Sequence, residues 1–300
     1  MSLFDWLVVR GLPLVPKLIV GKVASRYVAG ESLDDALRQI ETLAAEGAMA
    51  TLDLLGEEVT QRDKALATAV EYERMLDAIA ERGLPSNVSI KPTALGLEID
   101  DLFFRENLER VFGAARRHGN FVRIDMEDVT TTDATLAAYR DLHPRFPNIG
   151  VVLQAYLRRT LADIEALPRS GANVRLCKGI YIEPRSAAYK AYETVRMNFL
   201  AALEKLLTRG AYTAIATHDE HLVCGALALL DRLHVPRERY EFQMLLGVEP
   251  ELRRILLAEG HRLRVYVPYG RDWYPYSTRR LRENPQVARH VMRAFLARSR

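Results

Sequence analysis

The sequence alternates eight times between a short apolar segment and a longer stretch whose apolar residues have helical spacing. The short segments are rich in β-branched residues: AMATLDLLG (48–56), NVSIKPT (87–93), FVRIDME (121–127), IGVVLQAY (149–156), NVRLCKG (173–179), YTAIATHD (212–219), YEFQMLLG (240–247) and LRVYVPYG (263–270). The helical stretches are 62–82, 101–118, 133–142, 160–167, 186–208, 220–233 and 250–259. Because no G-x-G-x-x-G motif follows the first strand, the pattern favours a (β/α)8 barrel of the α/β class over a doubly wound sheet.

The composition is that of a globular protein, with 49% hydrophobic and 27% charged residues among 300. A formal net charge of +3 is small for this length, so the charge does not indicate nucleic acid as a partner. Cys177 and Cys224 are too few for a disulfide framework.

The N-terminal segment MSLFDWLVVRGLPLVPKLIVGKV is apolar, but it is interrupted by charges at Asp5 and Arg10 and by Pro13 and Pro16. It also lacks the basic start and the cleavage site of a signal peptide. We therefore expect one or two short amphipathic helices. They are interpreted either as an arm that packs on the domain or as a peripheral contact with a membrane surface.

The domain division follows from these patterns. We predict an N-terminal helical arm over residues 1–45 and one catalytic barrel over residues 46–300, because no linker divides the chain. Within the arm, Ser32 and Asp35 have the spacing of a capping box at the start of a helix.

The period of two along each strand predicts which side chains point into the barrel. The inward set is unusually polar: Thr51, Asp53, Ser89, Lys91, Arg123, Asp125, Glu127, Gln154, Arg175, Gln243, Leu245, Arg264 and Tyr266. For Asp53, Arg123 and Arg264 an internal ion-pair network without chemistry is an equal alternative. The residues nearest the strand C-termini lie where barrel enzymes keep their active sites, and they are Lys91, Asp125, Gln154, Lys178, His218, Leu245 and Tyr266.

The segment YVPYGRDWYPYSTRR (266–280) begins in the last strand and enters a final helix near Pro275. On that helix Tyr276, Arg279 and Arg280 share one face. Two guanidinium groups beside a phenol suit a small carboxylate ligand. The alternative, a solvated basic end, explains the later arginines but not this aromatic setting.

Other kinds of function remain open on the residues alone. Lys91 and Lys178 at strand ends also suit a Schiff-base aldolase that acts on a small carboxylate. The HDEH sequence from His218 to His221 is a weak metal motif, since strand 1 offers no paired histidines, and we expect no metal. A basic scaffold for nucleic acid leaves the polar barrel mouth unexplained.

Seven ordered motifs, VSIKPTALGL, VRIDMED, VVLQAYLRRT, VRLCKGIY, ATHD, EFQMLLG and YVPYGRDWYPYSTRR, resemble the proline dehydrogenase (proline oxidase) family, especially its compact monofunctional bacterial members. The resemblance implies a distorted TIM-like barrel with a C-terminal helix over its mouth. It implies noncovalent FAD and oxidation of L-proline to Δ1-pyrroline-5-carboxylate by hydride transfer to flavin N5. Electrons then pass to a quinone, which predicts a cytoplasmic protein in peripheral contact with the inner face of the membrane.

The resemblance also implies roles for individual residues. Asp125 and Arg175 are expected to be catalytic, and either Arg175 or Lys178 is expected to stabilise the reduced anionic flavin. The expected substrate contacts are Lys91, Tyr181, Leu245, Tyr266, Tyr276, Arg279 and Arg280. The expected flavin contacts are Met126, Val151, Gln154, Arg175, Lys178, Gly179, Ile180, Thr217 and His218.

The sequence departs from the family pattern after strand 5. Ile180 stands where the family has a small alanine, and Ile182 replaces a larger polar or aromatic residue. The polar segment 183–190 is interpreted as a gate, closed by an ion pair between Glu183 or Arg185 and an arginine across the mouth.

Overall fold

The computed structural model describes residues 26–274 and 276–277. Its α-helices are α1 (Leu33–Ala45), α2 (Arg62–Glu81), α3 (Asp101–Arg117), α4 (Thr132–Leu142), α5 (Thr160–Glu165), α6 (Tyr192–Thr208), α7 (Glu220–Arg232) and α8 (Pro250–Ala258). Its strands are β1 (Met49–Leu54), β2 (Ser86–Ile90), β3 (Val122–Ile124), β4 (Ile149–Gln154), β5 (Asn173–Cys177), β6 (Tyr212–Ala216), β7 (Tyr240–Leu245) and β8 (Leu263–Tyr269). Short 3-10 turns lie at Thr93–Leu95 and Arg237–Arg239.

The eight strands form a closed barrel in chain order, with β8 paired to β1. Every pair is parallel, and the closing pair places Thr51 opposite Tyr266 and Asp53 opposite Pro268. The predicted (β/α)8 barrel is therefore confirmed. The predicted strands extend beyond the real ones at their C-terminal ends, where strand pairing stops and the loops of the barrel mouth begin.

The apolar core lies between the strands and the surrounding helices, where branched side chains such as Val88, Ile124 and Val174 are fully buried. Helix α1 packs on β1 and β8. It therefore covers the seam where the barrel closes. The predicted capping box is present, with the Ser32 hydroxyl accepting from the Asp35 amide and the Asp35 carboxylate accepting from the Ser32 amide.

Segment 183–190 differs from the prediction. The helix that was predicted to begin at Ser186 begins at Tyr192, and the residues before it run across the neighbouring loop, where Ala188 bridges to Leu157. The buried Glu183 carboxylate accepts a 2.8 Å hydrogen bond from the Val129 amide. Among the described residues, Glu183 is therefore held by a backbone amide and forms no ion pair, and the gate interpretation stays a prediction.

Within the described part of the chain, no helix is long and apolar enough to cross a bilayer. After β8, the described residues Trp273, Tyr274, Tyr276 and Ser277 are helical. Tyr276 and Ser277 are buried at the barrel mouth, as expected for a helix that crosses it.

Candidate active site

A cavity of about 620 Å³ opens at the C-terminal ends of the strands. Its volume lies in the range of small-molecule sites. Of the residues predicted for the site, fourteen line it: Lys91, Asp125, Met126, Gln154, Arg175, Lys178, Gly179, Ile180, Tyr181, Thr217, His218, Leu245, Tyr266 and Tyr276. These residues come from seven strands and from the chain after β8, so the fold brings them together from across the sequence.

One predicted flavin contact is wrong. Val151 is fully buried in the core between β4 and the helices and does not line the cavity. Val152 lines it instead, together with Gln154. Residues 152 and 154 lie on one face of a strand, whereas 151 lies on the other. Arg279 and Arg280 lie outside the described residues.

Asp125 is the centre of a hydrogen-bonded cluster inside the cavity. Its Oδ1 accepts from Ser89 Oγ and from Arg175 Nη1, both at 2.6 Å. Its Oδ2 accepts from the Tyr266 hydroxyl at 3.1 Å. Burial, together with the negative charge of Asp125, raises the pKa of Tyr266 well above its ordinary value. The phenol is therefore a neutral donor at physiological pH.

Arg175 extends this cluster downward into the barrel. Its Nε donates to Gln243 Oε1 at 2.5 Å, and Gln243 Nε2 donates to Glu241 Oε1 at 2.5 Å. Glu241 also pairs with Arg264, whose Nε lies 2.8 Å from Oε1. The second amino group of the guanidinium, Arg175 Nη2, is buried without a hydrogen-bond partner among the described residues. A buried donor of this kind requires an acceptor, and a ligand in the cavity would provide one.

Lys91 is held from below by Asp53, with 2.5 Å between Nζ and Oδ1. Burial raises the pKa of Asp53 to about 6, although the lysine charge opposes this shift. Burial also disfavours the charged lysine, but Asp53 and Asp125 outweigh it and raise the pKa of Lys91. Lys91 is therefore cationic at neutral pH and suits an anionic group in the cavity.

Asp53, Arg123 and Arg264, for which an internal ion-pair network was the alternative, do not pair with one another, although two of them form internal ion pairs. Asp53 pairs with Lys91 of the neighbouring strand, and Arg264 pairs with Glu241. Arg123 instead donates to the carbonyl oxygens of Val151 and Asn173, at 3.1 and 2.8 Å. Asp53 and Arg264 thus pair with residues of adjacent strands or strand ends, whereas Arg123 reaches both β4 and β5.

A second polar cluster lies on the β5 and β6 side of the cavity, around the buried Asp219. This carboxylate accepts from Lys178 Nζ at 3.2 Å, from the Tyr192 hydroxyl at 2.6 Å, and from Arg196 at 2.7 and 2.9 Å. Burial raises the pKa of Asp219, but the hydrogen bonds from Arg196 and Tyr192 and the charge of Lys178 outweigh it and hold that pKa below its ordinary value. Two cations share one carboxylate here, which leaves positive charge at the rim.

Gly179 follows β5 with a φ of +105°, a conformation that favours glycine. A Cβ at this position would overlap the ring of Tyr156. Across the mouth, His218 Nε2 accepts a 2.8 Å hydrogen bond from the Leu245 amide. Since an amide only donates, Nε2 is unprotonated.

Gln154 is fixed by a neighbouring loop, because its Nε2 donates to the Glu127 carbonyl at 2.8 Å. The Glu127 side chain, which was predicted to point inward, accepts instead from the amide and the hydroxyl of Thr93. Burial raises the pKa of Glu127 to about 7, although those hydrogen bonds oppose the shift. Glu127 therefore supports the cavity wall without lining the cavity.

Several lining residues were not predicted from the sequence, notably Tyr27, Val152, Tyr192 and Asp219. Asp219 could have been found from the sequence, because it directly precedes a predicted helix, where N-cap residues lie. In the structure it caps α7. Tyr192 was not recognised because it lay inside a helix that was predicted to start too early, whereas it is the first residue of α6. Nothing near Tyr27 in the sequence marks it as part of the site.

Comparison with known proteins decides the family. A family model described as proline dehydrogenase matches residues 36–293. The chain belongs to the proline dehydrogenase family. Proline oxidation, the first step of proline catabolism, is the reaction of this family.

Individual relatives agree with this assignment. Proline dehydrogenase 1 of Bacillus subtilis (strain 168) is 36% identical over 273 residues, which cover 91% of this chain and 90% of the relative. Proline dehydrogenase of Deinococcus radiodurans is 37% identical over 280 residues, with the same coverage. Among solved structures, proline utilization A (PutA) from Bdellovibrio bacteriovorus, inactivated by N-propargylglycine, matches with a TM-score of 0.83 and 27% identity. That match covers 88% of this chain and 33% of the solved one, so the chain spans about a third of that protein.

The geometry of this proline dehydrogenase family member argues against Lys91 as a Schiff-base lysine and against a metal site in the HDEH sequence. A Schiff-base lysine must lose its proton to attack a carbonyl, whereas the pKa of Lys91 is raised by its carboxylate neighbours. In the HDEH sequence, His218 Nε2 is occupied by the Leu245 amide, and His221 lies in the exposed first turn of α7. The described residues contain no group of three or more metal-ligating side chains.

Proposed function

We propose that this protein oxidises L-proline to Δ1-pyrroline-5-carboxylate, with noncovalent FAD in the cavity and a quinone as the final electron acceptor. The observation that carries the proposal is the Asp125 cluster, in which Ser89, Arg175 and Tyr266 converge on one carboxylate at the barrel mouth. Family membership supports the substrate. The cavity and its donors support the cofactor.

The residues present fit FAD in three respects. The cavity of about 620 Å³ is far larger than a small cyclic amino acid requires. Arg175 Nη2 is a buried donor that lacks an acceptor among the described residues. Lys178 and the Thr217 hydroxyl lie on the β5 and β6 side, where the family resemblance places the flavin. We propose that Met126, Gln154, Gly179, Ile180 and His218 complete this side.

The reaction removes a hydride from C5, the ring carbon next to the nitrogen that does not carry the carboxylate, and a proton from the nitrogen, which passes to solvent. A C=N bond forms between these two atoms. FAD, when bound, supplies the acceptor for the two electrons of the hydride. The protein's part is to orient the substrate and to provide a suitable electrostatic environment.

The substrate end of the cavity is assigned to Lys91, Tyr181, Leu245, Tyr266 and Tyr276. Lys91, cationic and held by Asp53, binds the proline carboxylate. We propose from the family resemblance that Arg279 and Arg280 bind the same carboxylate. The aromatic rings then cover the apolar face of the substrate and exclude water.

Asp125 and Arg175 act as a pair in this proposal. Asp125 holds the guanidinium at 2.6 Å, and its second oxygen accepts from Tyr266, so one carboxylate fixes a flavin-side and a substrate-side residue. Arg175 brings positive charge to the cofactor, which favours an anionic reduced flavin. This link makes Asp125 the residue that sets the distance between the two ends of the site.

We also propose a quinone as the electron acceptor and peripheral contact with a membrane as the location. Ile182 is fully exposed and follows Tyr181, which lines the cavity. An apolar side chain at this edge supports the approach of an apolar acceptor such as a quinone. It also supports peripheral contact of a cytoplasmic protein with a membrane.

The test is the visible spectrum of the purified protein, followed by anaerobic addition of L-proline and, separately, D-proline. We expect a flavin band near ~450 nm that L-proline bleaches and D-proline does not. A yellow protein that L-proline fails to bleach would remove the substrate. A protein that stays colourless after incubation with FAD would remove the cofactor, and borohydride trapping of a lysine would then test the aldolase alternative.

A matched pair of variants tests the cofactor contact. Arg175→Gln is expected to weaken FAD binding about tenfold or more, because a hydrogen bond to a charged group contributes about 1.5–3 kcal/mol. Arg209→Gln, which removes a guanidinium paired with Glu165 on the surface, is the control. Titration of apoprotein with FAD, followed by flavin fluorescence, gives both affinities. Equal affinities in the two variants would contradict the assignment of Arg175.

A further inference from the structure

The residues before α1 lie across the C-terminal end of β8. The Ala29 amide donates to the Pro268 carbonyl at 2.9 Å, and the Gly270 amide donates to the Gly30 carbonyl at 3.0 Å. These bonds attach residues 26–30, here called the N-terminal strap, to the edge of the barrel mouth. The strap is thus part of the same rim that carries Tyr266.

The strap has a second anchor at the loop after β7. Gly247 has a φ of +75°, and a Cβ there would overlap the carbonyl oxygen of Arg26. Glycine is therefore required on two grounds, its conformation and the close approach of the strap. The strap is held between the ends of β7 and β8.

Tyr27 extends from the strap into the active-site cavity. It lines that cavity and is only 8% exposed. Its ring belongs to a small apolar cluster with Val28, Leu55 and Tyr276, and Val248 and Trp273 pack against it. Burial raises the pKa of the Tyr27 phenol, so the side chain is neutral at physiological pH. The wall beside Tyr276 is therefore a packed aromatic side chain from a segment outside the barrel strands.

We propose that Tyr27 limits the size of the cyclic amino acid that the cavity admits, by closing the wall beside Tyr276. The inference rests on the proposed function, since it concerns the substrate end of that site. Tyr276 and Tyr27 pack in one cluster, and Leu55 supports both from the end of β1. Because this cluster is buried, a ring larger by one methylene displaces packed side chains instead of water.

The expected shift in substrate preference can be sized from apolar pockets in general, where one methylene changes kcat/KM by about 10- to 200-fold. Removing the Tyr27 ring creates more space than one methylene fills. Tyr27→Ala is therefore expected to shift the ratio of kcat/KM for L-pipecolate to that for L-proline by about tenfold or more in favour of the six-membered ring.

The experiment compares wild type with Tyr27→Ala, Tyr27→Leu and Val28→Ala. Val28 is buried in the same cluster but does not line the cavity, so its truncation removes packing in the cluster and leaves every cavity-lining side chain present. Flavin content and thermal unfolding are measured for each protein, and the ratio is measured on the flavin-loaded enzyme. Tyr27→Leu, a smaller change, serves if Tyr27→Ala does not fold, and it is expected to shift the ratio in the same direction.

The outcomes separate this inference from the proposed function. A wild type that L-proline does not bleach removes the proposed function and this inference with it. A wild type that is bleached, together with an unchanged ratio in the Tyr27 variants, overturns this inference alone. An equal shift in Val28→Ala also overturns it, because the effect would then come from strap packing and not from the cavity wall.

Discussion

The Glu241–Arg264 pair near the base of the barrel predicts how stability depends on acid. Glu241 is 2% exposed, and Arg264 Nε lies 2.8 Å from its Oε1. Burial raises the pKa of Glu241, but the charge and hydrogen bonds of Arg264 and the hydrogen bonds of Gln243 and Tyr212 outweigh it. The net effect lowers that pKa from 4.5 to about 2. The carboxylate is therefore charged in the folded protein at pH values where the unfolded chain binds a proton.

The direction in which stability changes with pH follows from this order of folded and unfolded pKa values. A carboxyl group with a depressed folded pKa contributes stability that is fully present above the unfolded pKa and is lost as pH falls through the folded one. The window here runs from pH 4.5 down to about 2. At about 1.4 kcal/mol per pKa unit, Glu241 contributes about 3 kcal/mol at neutral pH. Between pH 4 and 3 the unfolded chain binds about one proton more at Glu241 than the folded protein does. The free energy of unfolding therefore falls by about 1.4 kcal/mol for each unit by which the pH decreases.

The assay is urea unfolding at a series of pH values between 7 and 3. Glu241→Gln is expected to lower the free energy of unfolding at pH 7 by about 3–5 kcal/mol, because Arg264 is left buried without its partner. It is also expected to reduce the slope of unfolding free energy against pH, between pH 4 and 3, by about 1.4 kcal/mol per pH unit. Glu204→Gln is the control, since its 2.7 Å pair with Arg232 is solvent-exposed and contributes at most about 1 kcal/mol.

The slope is the decisive quantity, because many substitutions in a barrel interior reduce stability at pH 7. Parallel curves of unfolding free energy against pH for Glu241→Gln and wild type would refute the reasoning. If the single variant does not fold, the double variant Glu241→Gln with Arg264→Met removes both charges. That variant is expected to regain stability at pH 7 while keeping the reduced slope.

Two further predictions concern the cavity wall. Gly179→Ala strains the backbone at that φ by about 1–3 kcal/mol and brings a Cβ onto the Tyr156 ring. Relief of both moves the cavity wall at this residue, so FAD binding is expected to weaken by about tenfold or more, and an unchanged dissociation constant in a fluorescence titration would contradict this. Lys91→Met is expected to cost about 3–5 kcal/mol in urea unfolding, because it leaves Asp53 buried and unpaired. Combining it with Asp53→Asn is expected to restore stability but not the KM for proline, and a double variant with normal KM would remove Lys91 from the substrate site.

The barrel and most of its inward side chains were predictable from sequence, because both rest on local periodicity. Alternation of apolar segments with helical stretches fixed the number of strands, and the period of two put Asp125, Arg175 and Tyr266 inside. The same rule, applied consistently, excludes Val151, which is separated from the inward Gln154 by an odd number of positions. That error came from the family resemblance and not from the residues.

Partners and close approaches between distant segments were not predictable. From the sequence, Asp53 was placed with Arg123 and Arg264 as inward-pointing charges. Because β1 and β2 are adjacent, Asp53 forms its ion pair with Lys91 instead. Tyr27 reaches the cavity only because Gly247, more than two hundred residues later, leaves room for the strap. Such contacts depend on which strands become neighbours and on backbone clearance, and neither leaves a local signal.

The seam between β1 and β8, covered by α1, has a consequence for the order of synthesis. Helix α1 and β1 are synthesised before the other barrel elements, but the strand that completes their burial, Leu263–Tyr269, is the last of the eight. Contacts of such long sequence separation form late and slowly. We expect α1 to stay open to proteases in ribosome-bound chains that stop before β8 and to become protected once β8 has emerged. Protection of α1 in the shorter chains would show that the seam does not control closure of the barrel.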